Sequence, residues 1–139
     1  MPGADVRGKS ILFVDDQPDA LELFRELLEK RGARVVAVDS VPAAIAALQS
    51  ARFDVLVSDI GMTGEDGFSL IRKVRELEQS SSARMPAIAV SGFSRTDEGR
   101  RALEEGFQVY LTKPVDPAEL ISLVASMGQA SVSRTSPDV

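Results

Sequence analysis

Hydrophobic positions along this chain fall into two interleaved patterns. Short apolar runs rich in Val, Ile, Leu and Phe occur at Ile11 to Val14, Arg34 to Val38, Phe53 to Val57, Ala87 to Val90 and Phe107 to Leu111. Runs of four or five residues with little polar alternation are the pattern of strands covered on both faces. Between them the spacing turns helical. Ala20, Leu23, Phe24 and Leu27 stand at i, i+3, i+4 and i+7, and Gly32 just past Lys30 and Arg31 closes that segment. Val41, Ala44, Ile45 and Leu48 repeat the template behind Ser40, a natural N-cap, and Leu70, Ile71, Val74 and Leu77 repeat it after a turn at Gly67. A fourth helix near Thr96 to Glu105 has only Ala102 and Leu103 as apolar anchors and contains Gly99, so it is expected to be the least stable element. A fifth opens with a capping box from Asp116 to Glu119, with Pro117 at its first position, and carries Leu120, Leu123, Val124 and Met127 on one face.

Strand and helix thus alternate five times, which calls for an α/β fold with a mostly parallel sheet covered on both faces. Eight units would be needed for a closed barrel. Residues 9–127 read as one domain, preceded by a flexible lead over 1–8 and followed by a Ser-rich flexible tail over 128–139. An open doubly wound sheet places its site in the crevice at the carboxyl ends of its strands. The residues that end each strand are therefore the ones to inspect.

Composition narrows the chemistry those residues can perform. The 139-residue chain is 44% hydrophobic and 27% charged, a soluble globular balance, and has neither Cys nor His. Disulfide scaffolds, Cys/His zinc sites and histidine-dependent triads are excluded. Sixteen basic against 21 acidic residues give a net charge of -5, which repels nucleic-acid phosphates and anionic lipid. The opening residues lack the apolar core of a signal peptide and no apolar stretch reaches the ~20 residues of a membrane span, so a cytoplasmic location is expected.

Four of the five runs end in reactive groups: Asp15 and Asp16 after the first, Ser58 and Asp59 after the third, Ser91 after the fourth, and Thr112, Lys113 and Pro114 after the fifth. Carboxylates crowded at one edge resist ionising together unless a cation neutralises them. Oxygen-only ligands point to a hard ion, and a set this small, which leaves room for several waters, suits Mg²⁺ better than Ca²⁺. Together with Lys113, such a site would receive a phosphoryl group. Each residue also has a plainer reading. Asp15 and Asp16 would cap the first helix ahead of Pro18, Asp59 would be a turn residue, Ser91 beside Gly92 would be loop chemistry, Lys113 a solvated lysine, and Pro114 a strand terminator. The plainer readings leave the convergence on one edge unexplained.

The segments ILFVDDQPDA, DVLVSDIGMTGEDGFSL, AIAVSG and YLTKPVDPAEL, in that order and spacing, resemble the receiver domain of two-component response regulators from about Lys9 to Met127. The resemblance implies a flavodoxin-like fold with strand order 2-1-3-4-5 and five helices. It implies Asp59 as the nucleophile that takes a phosphoryl group from a phosphohistidine of a sensor histidine kinase or histidine phosphotransfer protein, the chain promoting both its own phosphorylation and its dephosphorylation. Asp16, Asp59 and the Gly61 carbonyl would ligate Mg²⁺, Asp15 would act through a water, and Lys113 would pair with Asp59 and then with its phosphate. The bond between Lys113 and Pro114 would be cis. Ser91 would turn to a phosphoryl oxygen and Tyr110 swing inward, carrying the change to the face formed by helix four, strand five and helix five. Thr63 after Met62, Gln17 after the acidic pair and Gly92 after the hydroxyl depart from common family choices without removing a reactive group, and they bear on loop rigidity and phosphoryl lifetime, as do the Gly61 and Phe93 positions flanking the pocket.

The leading expectation is a Mg²⁺-dependent phosphorylation switch whose output passes through a downstream protein or a phosphorylation-dependent homodimer, with no direct nucleic-acid or membrane contact. A receiver segment of a hybrid histidine kinase and an unphosphorylated docking module are the binding-class alternatives. An aspartyl-phosphate phosphohydrolase of the haloacid dehalogenase type is the enzyme-class rival. That rival uses a second Asp two residues beyond its nucleophile, where this chain has Gly61.

Overall fold

In the computed structural model, which describes residues 6–62, 64–78, 84–92 and 96–128, all five apolar runs form strands. They are β1 (Ser10–Val14), β2 (Arg34–Val38), β3 (Val55–Asp59), β4 (Ala87–Ser91) and β5 (Val109–Thr112). Helices α1 (Pro18–Lys30), α2 (Val41–Ser50), α3 (Gly67–Leu77), α4 (Thr96–Glu105) and α5 (Pro117–Gly128) connect and follow them. The expectations for residues 1–5 of the lead and 129–139 of the tail, and for Thr63 and Phe93, lie outside the described residues. Among the described residues no helix is long and apolar enough to cross a membrane.

All strand pairs are parallel and the order is β2-β1-β3-β4-β5, the flavodoxin-like arrangement. Alternate side chains of the central strands enter two separate cores. Leu12, Val14 and Leu56 pack beneath α2, α3 and α4, whereas Ile11, Phe13, Val55, Val57, Ile88 and Val90 pack beneath α1 and α5. Burial on both faces is why these strands read as continuous apolar runs. β2 lies at the sheet edge and stays half-exposed.

Several boundaries and faces differ from the sequence expectation for definable reasons. β3 starts two residues later than the apolar run, because Asp54 turns its carboxylate back to accept the Ser10 N–H at 2.8 Å. β5 also starts two residues late, because Phe107 completes the end of α4: its N–H reaches the Ala102 carbonyl at 3.0 Å around Gly106, whose φ is +132°. The buried stripe of α1 is Leu21, Phe24 and Leu28, and Leu23 is 51% exposed. Phe24 stacks on Phe13 with centroids 5.7 Å apart, which sets the rotation of the helix. Leu77 lies exposed at the end of α3, while Phe68 is buried at its start.

α4 carries even less apolar anchorage than its sequence suggested, since Ala102 is buried but Leu103 is 51% exposed. Charged contacts supplement it. The Arg101 guanidinium lies 4.0 Å from the Phe68 ring centroid, and Glu105 lies 3.8 Å from Arg72 on α3. At its far end Arg75 of α3 donates to the Gly106 carbonyl at 2.7 Å, to the Met85 carbonyl at 2.9 Å and to Glu78 at 2.8 Å.

Candidate functional site

The carboxyl ends of β1, β3, β4 and β5 lie side by side in the sheet. β1 delivers Asp15 and Asp16 immediately after Val14, and β3 ends in Asp59 itself. Carboxylate oxygens of the three residues all lie within 4.8 Å of one another. Asp15 is 3% exposed and Asp59 5%, so both are held in the body of the protein, while Asp16 is half-buried at the rim. The helix-cap reading of the acidic pair does not hold: the N-cap of α1 is Gln17, with no side-chain capping bond. Asp15 Oδ1 instead accepts the Gln17 N–H at 2.9 Å in the turn before the helix. Its other oxygen faces Lys113.

Lys113 follows β5, and the peptide joining it to Pro114 is cis. Its Nζ lies 3.4 Å from Asp15 Oδ2 and 3.4 Å from Asp59 Oδ2, bridging the two buried carboxylates. Its backbone N–H donates to the Ser91 carbonyl at 2.8 Å, tying the β4 and β5 ends together. One ammonium cannot neutralise three carboxylates. Burial, followed by the charge of Asp15, holds the Asp59 carboxyl above its ordinary range, against the opposing pull of Lys113 and of the Gly61 N–H that donates to it. Beneath the carboxylates a cavity of about 130 Å³ is walled by Phe13, Phe24, Val57 and Leu120, with Asp15, Asp59 and Lys113 along one side. Apolar walls on that side keep the field of the charged groups poorly screened.

Gly67 sets how closely α3 approaches the end of β3. Its N–H donates to the Ile60 carbonyl at 2.9 Å, and a Cβ on it would fall 2.6 Å from the Asp59 carbonyl oxygen and 2.8 Å from the Ile60 Cα. Only glycine fits there. Asp66 caps the same helix by accepting the Ser69 N–H at 3.0 Å, so the acidic residues of this loop are committed elsewhere than the site.

Ser91, the last residue of β4, is fully buried. Tyr110 donates to Glu98 Oε1 of α4 at 2.7 Å. Burial, then Glu98, holds the phenol above its ordinary value. The residues marked at the strand ends thus share one edge, with Tyr110 two residues earlier on β5, paired with Ala89 of β4. Glu98 and Gly67 acquire their roles from pairings across the fold, and no local spacing marks either of them.

A family model described as the response regulator receiver domain matches residues 11–125. A 14.6 kDa protein from the sodA1 3′ region of Leptolyngbya boryana is 46% identical over 114 residues, covering 82% of this chain and 86% of that protein. The sensor protein GacS of Pseudomonas syringae pv. syringae is 34% identical over 139 residues, but the 99% of this chain that aligns spans only 15% of GacS. Among solved structures, the receiver domain of a Francisella response regulator superposes with a TM-score of 0.82 at 25% identity, covering 89% of this chain and 99% of that one. The receiver domain of a sensor histidine kinase from Pseudomonas aeruginosa PAO1, described with a magnesium ion coordinated in its active-site cleft, superposes with a TM-score of 0.77 at 28% identity, covering 87% and 98%.

Proposed function

The chain belongs to the response regulator receiver domain family of two-component signalling, and from that premise we propose that Asp59 is its phosphoacceptor and that Lys113, Ser91, Asp15 and Asp16 equip it for the transfer. The observation that carries this reading is the buried Asp59 carboxylate set beside Asp15 and bridged to it by one lysine 3.4 Å from each. The donor is a phosphohistidine of a histidine kinase or phosphotransfer protein.

The three oxygen-donor side chains, two of them buried and together outweighing the single ammonium, fit a hard divalent cation. Asp15, Asp16, Asp59 and the Gly61 carbonyl would hold Mg²⁺, which when bound neutralises charge on the transferring phosphoryl oxygens. The chain's own residues account for the rest. An Asp59 carboxylate oxygen attacks phosphorus in line, the new O–P bond forms as the histidine N–P bond breaks, and the imidazole nitrogen keeps the bonding electron pair. Lys113, already at Asp59, moves its charge onto the phosphoryl oxygens, and Ser91 donates to one of them. Hydrolysis by water later returns Asp59 to its carboxylate.

Phosphorylation is read on the face formed by α4, β5 and α5, by a downstream protein or by a second copy of this chain. The domain spans 9–127, and its relation to the receiver parts of GacS-type sensor kinases supports a donor in a hybrid-kinase phosphorelay at a cytoplasmic location. Incubation with Mg²⁺ and acetyl phosphate tests the assignment. One hydroxylamine-labile phosphoryl group per chain is expected by mass spectrometry, absent without Mg²⁺ and absent from Asp59→Asn. Undiminished labelling of Asp59→Asn would move the acceptor elsewhere.

A further inference from the structure

β2 forms one edge of the sheet, and its ladder with β1 runs unbroken from Arg34 to Val38. Arg34 donates its N–H to the Lys9 carbonyl at 2.8 Å, and the Val38 carbonyl accepts the Asp15 N–H at 3.1 Å. Backbone groups alternate in direction along a strand, so those of Arg34, Val36 and Val38 face β1 and those of Val35 and Ala37 face outward. Among the described residues nothing pairs with the outward N–H and C=O groups of Val35 and Ala37. Strand edges are ordinarily guarded by a proline, a bulge or a charge in mid-strand. From Val35 to Val38 this edge carries none of these, and Val36 at its middle is 42% exposed.

Charge is distributed unevenly along the same edge. Exposed Lys30, Arg31 and Arg34 stand where β2 begins, and exposed Asp39 follows where it ends. Among the described residues neither Arg34 nor Asp39 has an ion-pair partner. A copy of β2 laid parallel would set like charges side by side. Laid antiparallel, it sets each basic start against an acidic end, twice over.

We propose that the β2 edge is a docking surface for a second copy of this chain, paired antiparallel about a twofold axis normal to the sheet. Such an axis keeps each face of the sheet on the same side in both copies, so residues directly opposite one another must share a face. Outward groups must also meet outward groups. One register satisfies both conditions and pairs the outward groups of Val35 and Ala37 in both copies. Val35 lies opposite Ala37 of the second copy, Ala37 opposite its Val35, and Val36 sits on the axis against itself. Val36 then forms the closer, non-hydrogen-bonded kind of pair, with Cα atoms about 4.5 Å apart, and its exposed side chain leaves water. Asp39 falls opposite Ala33 of the second copy, between Arg31 and Arg34. β5 forms the other edge of the sheet, so the pairing leaves the α4–β5–α5 face free, and it does not depend on which residue is the phosphoacceptor. A five-residue strand makes a small interface, so the dimer is weak and concentration-dependent.

Sedimentation velocity and NMR hydrogen exchange on the whole chain, from dilute to about 1 mM, test the proposal. Dimer is expected to accumulate with concentration. The Val35 and Ala37 amides should then exchange more slowly, while that of Val36, already bonded to β1, changes little. Val36→Lys, which opposes like charges on the axis, should weaken the dimer about tenfold or more. Arg34→Glu, at an exposed side chain, should weaken it about threefold to tenfold, and adding Asp39→Lys should restore it. The Arg34 variants keep the test decisive should Val36→Lys fail to fold. A wild-type chain that stays monomeric up to about 1 mM overturns the proposal. So does a dimer that the β2 variants leave intact, or one whose protected amides lie on α4, β5 and α5.

Discussion

Replacing Asp59 with Asn is expected to stabilise the folded chain when metal is removed, although it deletes the proposed acceptor. Asp59 shares its pocket with two other carboxylates whose oxygens lie within 4.8 Å. At an effective dielectric constant of about 20, each such pair repels by roughly 3–4 kcal/mol, and Lys113 at 3.4 Å returns roughly 5 kcal/mol. Two repulsions against one attraction, together with the burial of a charge that is only 5% exposed, leave a net relief of about 1–3 kcal/mol on neutralisation. The amide has the same shape, can still accept from the Gly61 N–H, and leaves Lys113 paired with Asp15. In a chain of this size that relief is a rise of about 3–10 °C in Tm.

Urea and thermal unfolding in EDTA near neutral pH, wild type beside Asp59→Asn, measure it. The sign in pH follows from the direction of the Asp59 shift. Its folded-state value is raised, so between the ordinary carboxylate value and the raised one the native state binds the proton more tightly than the unfolded chain, and stability falls as pH rises through that window. The advantage of Asn is therefore full above the window and vanishes below it. Mg²⁺ at a hundred times its dissociation constant would stabilise the wild type by about 2.7 kcal/mol, and the variant by much less. An Asp59→Asn protein less stable than wild type in EDTA, or an equal gain from Mg²⁺ in both, would refute the reasoning.

Two further changes probe how the site is supported. Gly67→Ala places a methyl 2.6 Å from the Asp59 carbonyl oxygen and is expected to cost about 2–4 kcal/mol in urea unfolding and to weaken Mg²⁺ binding as β3 and α3 are forced apart. Arg75→Met strips the Gly106 and Met85 carbonyls and Glu78 of their shared donor. About 2–3 kcal/mol should be lost, with hydrogen exchange rising at the end of α4 while Mg²⁺ affinity stays near wild type.

Much of this architecture is legible in the chain because strand burial and helix periodicity are local properties. Ser40 caps α2 by accepting the Ala43 N–H at 3.2 Å, as its position implies, and Gly32, with φ +91°, closes α1 where the glycine stands. Spacing alone does not select the buried face of α1, because Leu23, Phe24, Leu27 and Leu28 offer overlapping apolar stripes. The stacking of Phe24 on Phe13, a contact across the fold, selects among them. Phe53 and Phe107 extended the apolar runs beyond the ladder because hydrophobicity alone does not separate a strand residue from one that seals the end of a neighbouring element.

The sequence by itself determined the five strand–helix units, their parallel order once the receiver pattern is seen, and the identity of the groups at the strand ends. Each of these depends on residue type and spacing along the chain. Only the tertiary structure decided that Lys113 stands equally near Asp15 and Asp59, that Gly67 permits α3 to close on the end of β3, and that Glu98 and Gly99 receive Tyr110. Those are distances between residues far apart in the chain, set by how twisted strands and packed helices bring separate backbones together, and no local pattern of side chains encodes them.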